Sequence, residues 1–371
     1  ASCLVGSEMC IRDRAYLMHT STSPQYAIIA SCDVAAARME PPGGTALVEE
    51  SILEALDFRR AMRKVEEEFG DQDWWFKVWG PDNLVDEGIG RADDWIIKDN
   101  EADAKWHGFG QLADGFNMLD PIKSTIVTPG LAMDGKFAET GIPASIVTKF
   151  LAEHGVIVEK TGLYSFFIMF TIGITKGRWN SLLTALQQFK DDYEKNQPMW
   201  RILPEFCQKH KRYERMGLRD LCQHVHQMYA KYDIARLTTE MYLSDLEPAM
   251  KPSDAYAYIA HRKTERVEID ELEGRITTSL ITPYPPGIPL LIPGEVFNKT
   301  IVDYLKFSRE FNQQCPGFET DIHGLVELED ETGHVRYYAD CVAVGQPSTT
   351  ERATEHNLVQ VGNDGPFGRK V

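Results

Sequence analysis

Apolar residues recur at helical spacing in several separated stretches of the chain, most of them bounded by residues suited to a helix end. Ser23 followed by Pro24 predicts a helix start, and Ile28, Ile29, Cys32, Ala36 and Met39 carry the pattern to about residue 40. PPGG at 41–44 is expected to break the chain. A second helix is predicted from about Val48 to Phe69, with Ile52, Leu56, Met62, Val65 and Phe69 inward and the acidic run 66–68 outward. Trp74, Trp75, Trp79, Trp95 and Trp106 stand in a stretch rich in Gly and Asp, which reads as strands joined by irregular loops. DPIKSTIVTPG then reads as a strand ended by a turn. Pro143 opens a helix whose inner face is Ile146, Val147, Phe150 and Leu151, and Gly155 closes it. VIVE (156–159) is expected to be a short strand and SFFIMFTIG (165–173) a buried one. Thr175 caps a long helix carrying Trp179, Leu182, Leu183, Leu186, Phe189 and Tyr193. That order predicts a sheet with helices on one face.

Pro198 and Pro204 mark a boundary, so an α/β domain is expected over 41–195 and an α+β domain over 196–345. The second holds predicted helices at 217–231, 253–262 and 299–314, the proline-dense ITPYPPGIPLLIPGE (281–295), and a terminal hairpin. Its prolines force an extended, stiff backbone. Residues 1–14, ASCLVGSEMCIRDR, follow neither periodicity and lack a signal-peptide core. They resemble translated sequencing adapter, and the native sequence is expected to begin near Ala15. Residues 346–371 are polar without an apolar stripe and read as a disordered tail.

Composition narrows the class. Hydrophobic residues at 43% against 26% charged allow a packed core and exclude general disorder. A net charge of −17 repels phosphate backbones and anionic bilayers, so neither a nucleic acid nor a membrane is an expected partner. The longest apolar run, Phe166 to Ile174, is about half of the ~20 residues that cross a bilayer. Seven scattered cysteines without a C-x-x-C read as reduced thiols in a cytoplasmic protein.

Candidate chemistry is sparse. Thr20, Ser21, Thr22 and Ser23 place four hydroxyls ahead of a helix start, where free N–H groups favour an anion; without a glycine-rich loop, composition alone favours a capping run that holds no ligand. Glu159, at the end of VIVE, could hold a cation or simply pair with Lys160. His224 and His226 lie two apart on a helix and cannot chelate together; His107 and His323 are isolated. Asp321 and His323 lack a nearby third ligand, so no metal is expected. No G-x-S-x-G, H-E-x-x-H, Walker loop or G-x-G-x-x-G occurs.

MHTSTSPQYAIIAS, WHGF, LDPIKSTIVTPG, GIPASIVTKFLAEHGVIVEKTGLYSFF and TPYPPGIPLLIPGE occur in this order. Together they resemble the bacterial ornithine/lysine/arginine decarboxylases over about residues 15–344. The resemblance implies part of a pyridoxal 5'-phosphate enzyme of the aspartate-aminotransferase fold type. Residues 15–40 would end its large cofactor domain, 41–195 form its α/β small domain and 196–345 its α+β C-terminal domain. It also implies a homodimer with the active site at the interface, higher oligomers included, acting on a small basic amino acid. By the same resemblance Thr20, Ser21 and Thr22 would meet the cofactor phosphate, and Glu159 would grip the substrate's distal amine. That acid tips the choice towards lysine or ornithine over arginine, while residues 174–179 also resemble the arginine branch. The family's Schiff-base lysine sits in S-x-H-K, which this chain lacks; QKHK at 208–211 has no serine. No catalytic residue is therefore assigned, and the chain, read as the C-terminal half of a decarboxylase, is expected to be inactive alone. A non-catalytic homologue serving as a regulatory or interaction subunit is the alternative, and a small-molecule-binding regulatory domain a third reading.

Overall fold

Two strands, Lys123–Val127 and Ser165–Met169, organise the first half, because they pair with each other and each with one further strand. A computed structural model describes residues 23, 25–70, 73–80, 107, 115–284, 287–329 and 335–343. Helix α1 spans Tyr26–Arg38 and α2 Gly43–Phe69. Strands β1 (Lys77–Val78) and β2 (Lys123–Val127) precede helix α3 (Ala144–Glu153). Then come β3 (Lys160–Thr161), β4 (Ser165–Met169) and helix α4 (Lys176–Glu194). The four strands form an antiparallel sheet in the order β1-β2-β4-β3. Ile126 lies opposite Phe166, and both are fully buried. Against this sheet pack α2 and α3, with α4 packed on both helices. Rings close the gap between layers: Phe189 of α4 meets Phe150 of α3 at 5.3 Å and Phe76 at 6.0 Å, in edge-on contacts.

The second half continues through the short helices α5 (Met199–Ile202) and α6 (Pro204–Lys209), then α7 (Leu218–Lys231), α8 (Ile234–Leu243) and α9 (Pro252–Ala260). Strands β5 (Thr264–Glu268) and β6 (Thr282–Tyr284) lead to helix α10 (Lys299–Gln314). Strands β7 (Asp321–His323), β8 (Leu325–Glu329) and β9 (Val335–Val342) complete the set. They make a three-stranded antiparallel sheet, β5-β9-β8, and a two-stranded ribbon, β6-β7. One contiguous core runs from Ala55 to Cys341 through both halves. The fold is thus mixed α/β and α+β, as the pattern predicts.

Several local readings need correction. VIVE is not a strand: pairing begins only at Lys160, and 156–158 is irregular. The first helix starts at Tyr26, with Gln25 at its cap and no side-chain capping bond; Pro24 lies outside the described residues, as do Trp95 and Trp106. The chain does break at 39–42, but α2 begins at Gly43 rather than near Val48, taking both glycines of PPGG into its first turn. Phe69 ends α2 partly exposed rather than inward, where its ring covers Lys190 at 4.7 Å. Thr175 occupies the cap position of α4, yet its hydroxyl makes no capping bond. Helix α8 was not predicted. Asp233, with φ +47, ends α7 and restarts the chain without glycine or proline.

Two polar devices hold this frame. Arg59 is buried in α2 and donates to the Trp79 and Lys123 carbonyls, each at 2.9 Å. Burial lowers its pKa to about 10, partly offset by Asp120, so it stays charged at neutral pH. Asn298 caps α10: its side-chain oxygen accepts from Ile301 N–H at 2.9 Å while its amide reaches Ser244 and Asp245. Asn298→Ala is expected to cost about 1 kcal/mol, at most about 2. A fall in the denaturant midpoint with unchanged slope would report it.

Candidate functional site

Glu159 stands where the chain turns out of α3 and enters β3. Its N–H donates to the Phe167 carbonyl at 3.0 Å, which joins it to β4 one step beyond the Lys160–Phe167 pair. The side chain is exposed. Among the described residues it makes no ion pair within 4.0 Å, so the alternative of a pairing with Lys160 is not formed. Glu159 lines a cavity of about 560 Å³ whose other walls include Ile157, Ile168, Phe170, Ile174 and Trp179. Arg178 also reaches this cavity. Trp179 is fixed there because its indole N–H donates to Glu54 at 2.5 Å. The arrangement offers one carboxylate and one guanidinium at the edge of an apolar hollow, which suits an aliphatic chain with a charged end.

The other predicted site residues scatter. Thr20, Ser21 and Thr22 lie outside the described residues, and Ser23 is exposed ahead of α1. His224 is half-buried and His226 buried on α7, so the two do face apart. His323 Nε2 lies 3.5 Å from Asp321 on the exposed ribbon, and no group of three metal-binding side chains occurs among the described residues. Cys32, Cys207, Cys222, Cys315 and Cys341 are all free, and burial pushes the Cys315 thiol up to about 11 and that of Cys341 to about 12. The Cys315 and Cys341 thiols are therefore protonated at neutral pH and poor nucleophiles. No helix among the described residues is long and apolar enough to cross a membrane.

Pyridoxal phosphate, the cofactor implied by the resemblance, requires a lysine amine and an acid for its ring nitrogen, and the family adds a stacking histidine. The residues described here do not supply that set. The Glu159 cavity contains neither lysine nor histidine. A cavity of about 980 Å³ beside α2 has Lys77 and Asp73 but no histidine, and one of about 660 Å³ beside α4 has His154 but no lysine. Lys190, the fully buried lysine among the described residues, is committed to Asp73 at 2.7 Å, to Glu194, and to the faces of Phe69 and Trp74. The described residues therefore do not fit the cofactor by themselves. Sequence reasoning missed the commitment of Lys190: Glu194, four residues on, was the one local signal, while Asp73, 117 residues away, and the rings of Phe69 and Trp74 left none.

Comparison with known proteins supplies the class. The family model described as "Orn/Lys/Arg decarboxylase, major domain" matches residues 7–178, and "Orn/Lys/Arg decarboxylase, C-terminal domain" matches 235–343. The chain belongs to the Orn/Lys/Arg decarboxylase family. A lysine decarboxylase of Pseudomonas aeruginosa is 46% identical over 334 residues, covering 89% of this chain and 44% of that protein. The inducible lysine decarboxylase of Escherichia coli is 38% identical over 86% of the chain and 44% of its own length. A solved lysine decarboxylase structure from P. aeruginosa, 46% identical, superposes with a TM-score of 0.81 over 89% of this chain and 44% of that one, and the constitutive E. coli enzyme, 37% identical, gives 0.79 over 89% and 45%. The chain spans somewhat under half the length of these relatives.

Proposed function

We propose that this chain is part of a basic amino acid decarboxylase that releases carbon dioxide from lysine, with ornithine the next substrate and arginine the least favoured. The cofactor of the whole enzyme is pyridoxal 5'-phosphate, its Schiff-base lysine lying outside the residues of this chain. Thr20, Ser21 and Thr22 contribute to the phosphate site, and the assembly is a homodimer or a larger oligomer. The domain limits follow the sequence reading: 15–40 ends the cofactor domain, 41–195 is the small domain and 196–345 the C-terminal domain. Family membership carries this reading. Identity supports the substrate order in part: relatives named lysine decarboxylases stand at 46% and 38%, against 36% for an arginine and 32% for an ornithine decarboxylase of E. coli.

Glu159 is the residue of this chain assigned to the substrate. Lysine ends in an ammonium, a compact charge that one carboxylate can grip, while its methylenes suit the apolar walls formed by Ile168, Phe170 and Trp179. Holding the far end fixes the orientation of the bond to the α-carboxylate, which decarboxylation requires. A charge-assisted hydrogen bond contributes about 1.5–3 kcal/mol. Glu159→Gln in the full-length enzyme is expected to lower kcat/KM for lysine about 10- to 150-fold and to leave cofactor loading unchanged. Steady-state kinetics on lysine, ornithine and arginine test this. An effect below about threefold on all three would return Glu159 to the role of a surface acid.

A further inference from the structure

A buried tyrosine–histidine contact ties the Glu159 hairpin to a helix of the second half. Tyr164, in the turn between β3 and β4, places its hydroxyl 2.5 Å from His226 Nδ1 on α7. The opposite nitrogen, Nε2, lies 2.9 Å from the Ala138 carbonyl. A carbonyl can only accept, so Nε2 carries the proton; in the neutral ring Nδ1 then accepts from Tyr164 O–H. Both side chains are buried, at 4% and 1% exposure, so water does not replace either partner. Burial also raises the Tyr164 pKa far above its usual range, which keeps the phenol a donor.

The surroundings are built around that ring. Gly130, with φ +126, and Gly141 bring their backbone against Tyr164 and His226; a Cβ at 141 would overlap His226 Nδ1. Phe137 packs edge-on to both rings. The turn itself is held on two further sides. Thr128 N–H donates to the Tyr164 carbonyl and Ala144 N–H to that of Leu163, each at 2.9 Å.

What this fixes is the register of the hairpin. Strand β3 has only two residues, Lys160 opposite Phe167 and Thr161 opposite Phe166. Two ladder pairs specify register weakly, so the turn decides it. Glu159 comes immediately before β3 and has only its bond to Phe167 beyond those pairs. We infer that Tyr164 and His226 are positioning residues for Glu159, setting where its carboxylate stands over the cavity and hence how firmly the distal ammonium of the substrate is held. This inference rests on the proposed role of Glu159.

A double-mutant cycle in the full-length decarboxylase tests it, reading KM and kcat for lysine together with the Kd of pentane-1,5-diamine, which is lysine without its carboxylate. Tyr164→Phe keeps the ring and removes the donor. It is expected to raise KM and Kd about 3- to 10-fold with kcat within about twofold, as contacting networks commonly couple. In the Glu159→Gln background the same change should move KM and Kd by less than about 1.5-fold. Equal effects in the two backgrounds would reduce the pair to a structural role and overturn the inference, as would no effect in the parent. If Glu159→Gln alone changes nothing, the role of Glu159 fails first and this inference with it, a pattern distinct from equal effects. His226→Gln, which can still donate to Ala138, repeats the cycle should Tyr164→Phe not fold, with the same expected outcome.

Discussion

The 371-residue chain, purified alone and supplied with pyridoxal phosphate, is expected to release no carbon dioxide from lysine, ornithine or arginine above a heat-killed control. The cofactor stores the electrons left when carbon dioxide departs, and it is normally held by a lysine amine before substrate arrives. This sequence contains no S-x-H-K segment to provide that amine. The lysines present do not take its place. Lys190 is enclosed by two acids and two aromatic faces. Lys209, at the end of α6, is exposed, and the next histidine–lysine pair lacks the preceding serine. Mixing the chain with the cofactor should leave the spectrum of free pyridoxal phosphate unchanged. Carbon dioxide release, or a new absorbance band that borohydride reduction attaches to a lysine of this chain, would show the assignment to be wrong.

Phe189→Ala is expected to destabilise the fold by about 3–5 kcal/mol, the range for deleting a buried aromatic ring. Phe189 is fully buried at the meeting of three elements: Phe150 of α3, Phe76 beside β1, and Tyr193 on its own helix at 6.5 Å. The surrounding rings come from separate segments and cannot all collapse into the space left behind, so the cavity persists and its walls lose dispersion contacts. Ile157→Ala is the comparison. Ile157 is 79% exposed although equally apolar, and its replacement should stay within about 0.5 kcal/mol. Urea unfolding at constant slope reads both. A midpoint for Phe189→Ala matching that of Ile157→Ala would mean that α4 does not pack on α3 as described.

Much of this was legible from residue order. Helix α10 begins and ends where the sequence reading places it, at Lys299 and Gln314. Helix α3 follows Pro143 with Ile146, Val147, Phe150 and Leu151 all buried. The family was legible too, because five motifs in one order constrain identity far more than any of them alone. Where pairing across the chain decides the outcome, residue order was a poor guide. The β-branched run Val156–Val158 has the composition of a strand, yet ladder pairing with β4 covers only Lys160 and Thr161, and 156–158 stays irregular. Helix α1 has the periodicity of a packed helix, but Ile28 and Ile29 stand exposed because nothing among the described residues covers them.

His226 shows the division most clearly. From the sequence it is one of two histidines that cannot share a ligand, and that reading holds. Its partners, Tyr164 and Ala138, lie 62 and 88 residues away, so only the folded chain brings them to its two nitrogens. Spacing along the chain reports which residues share a face of one helix or strand, since that depends on local geometry alone. Which polar groups satisfy one another in the interior depends on how distant elements dock; that docking assigned both partners of His226, and for Lys190 it added Asp73, Phe69 and Trp74 to the Glu194 that lies one turn on in its own helix.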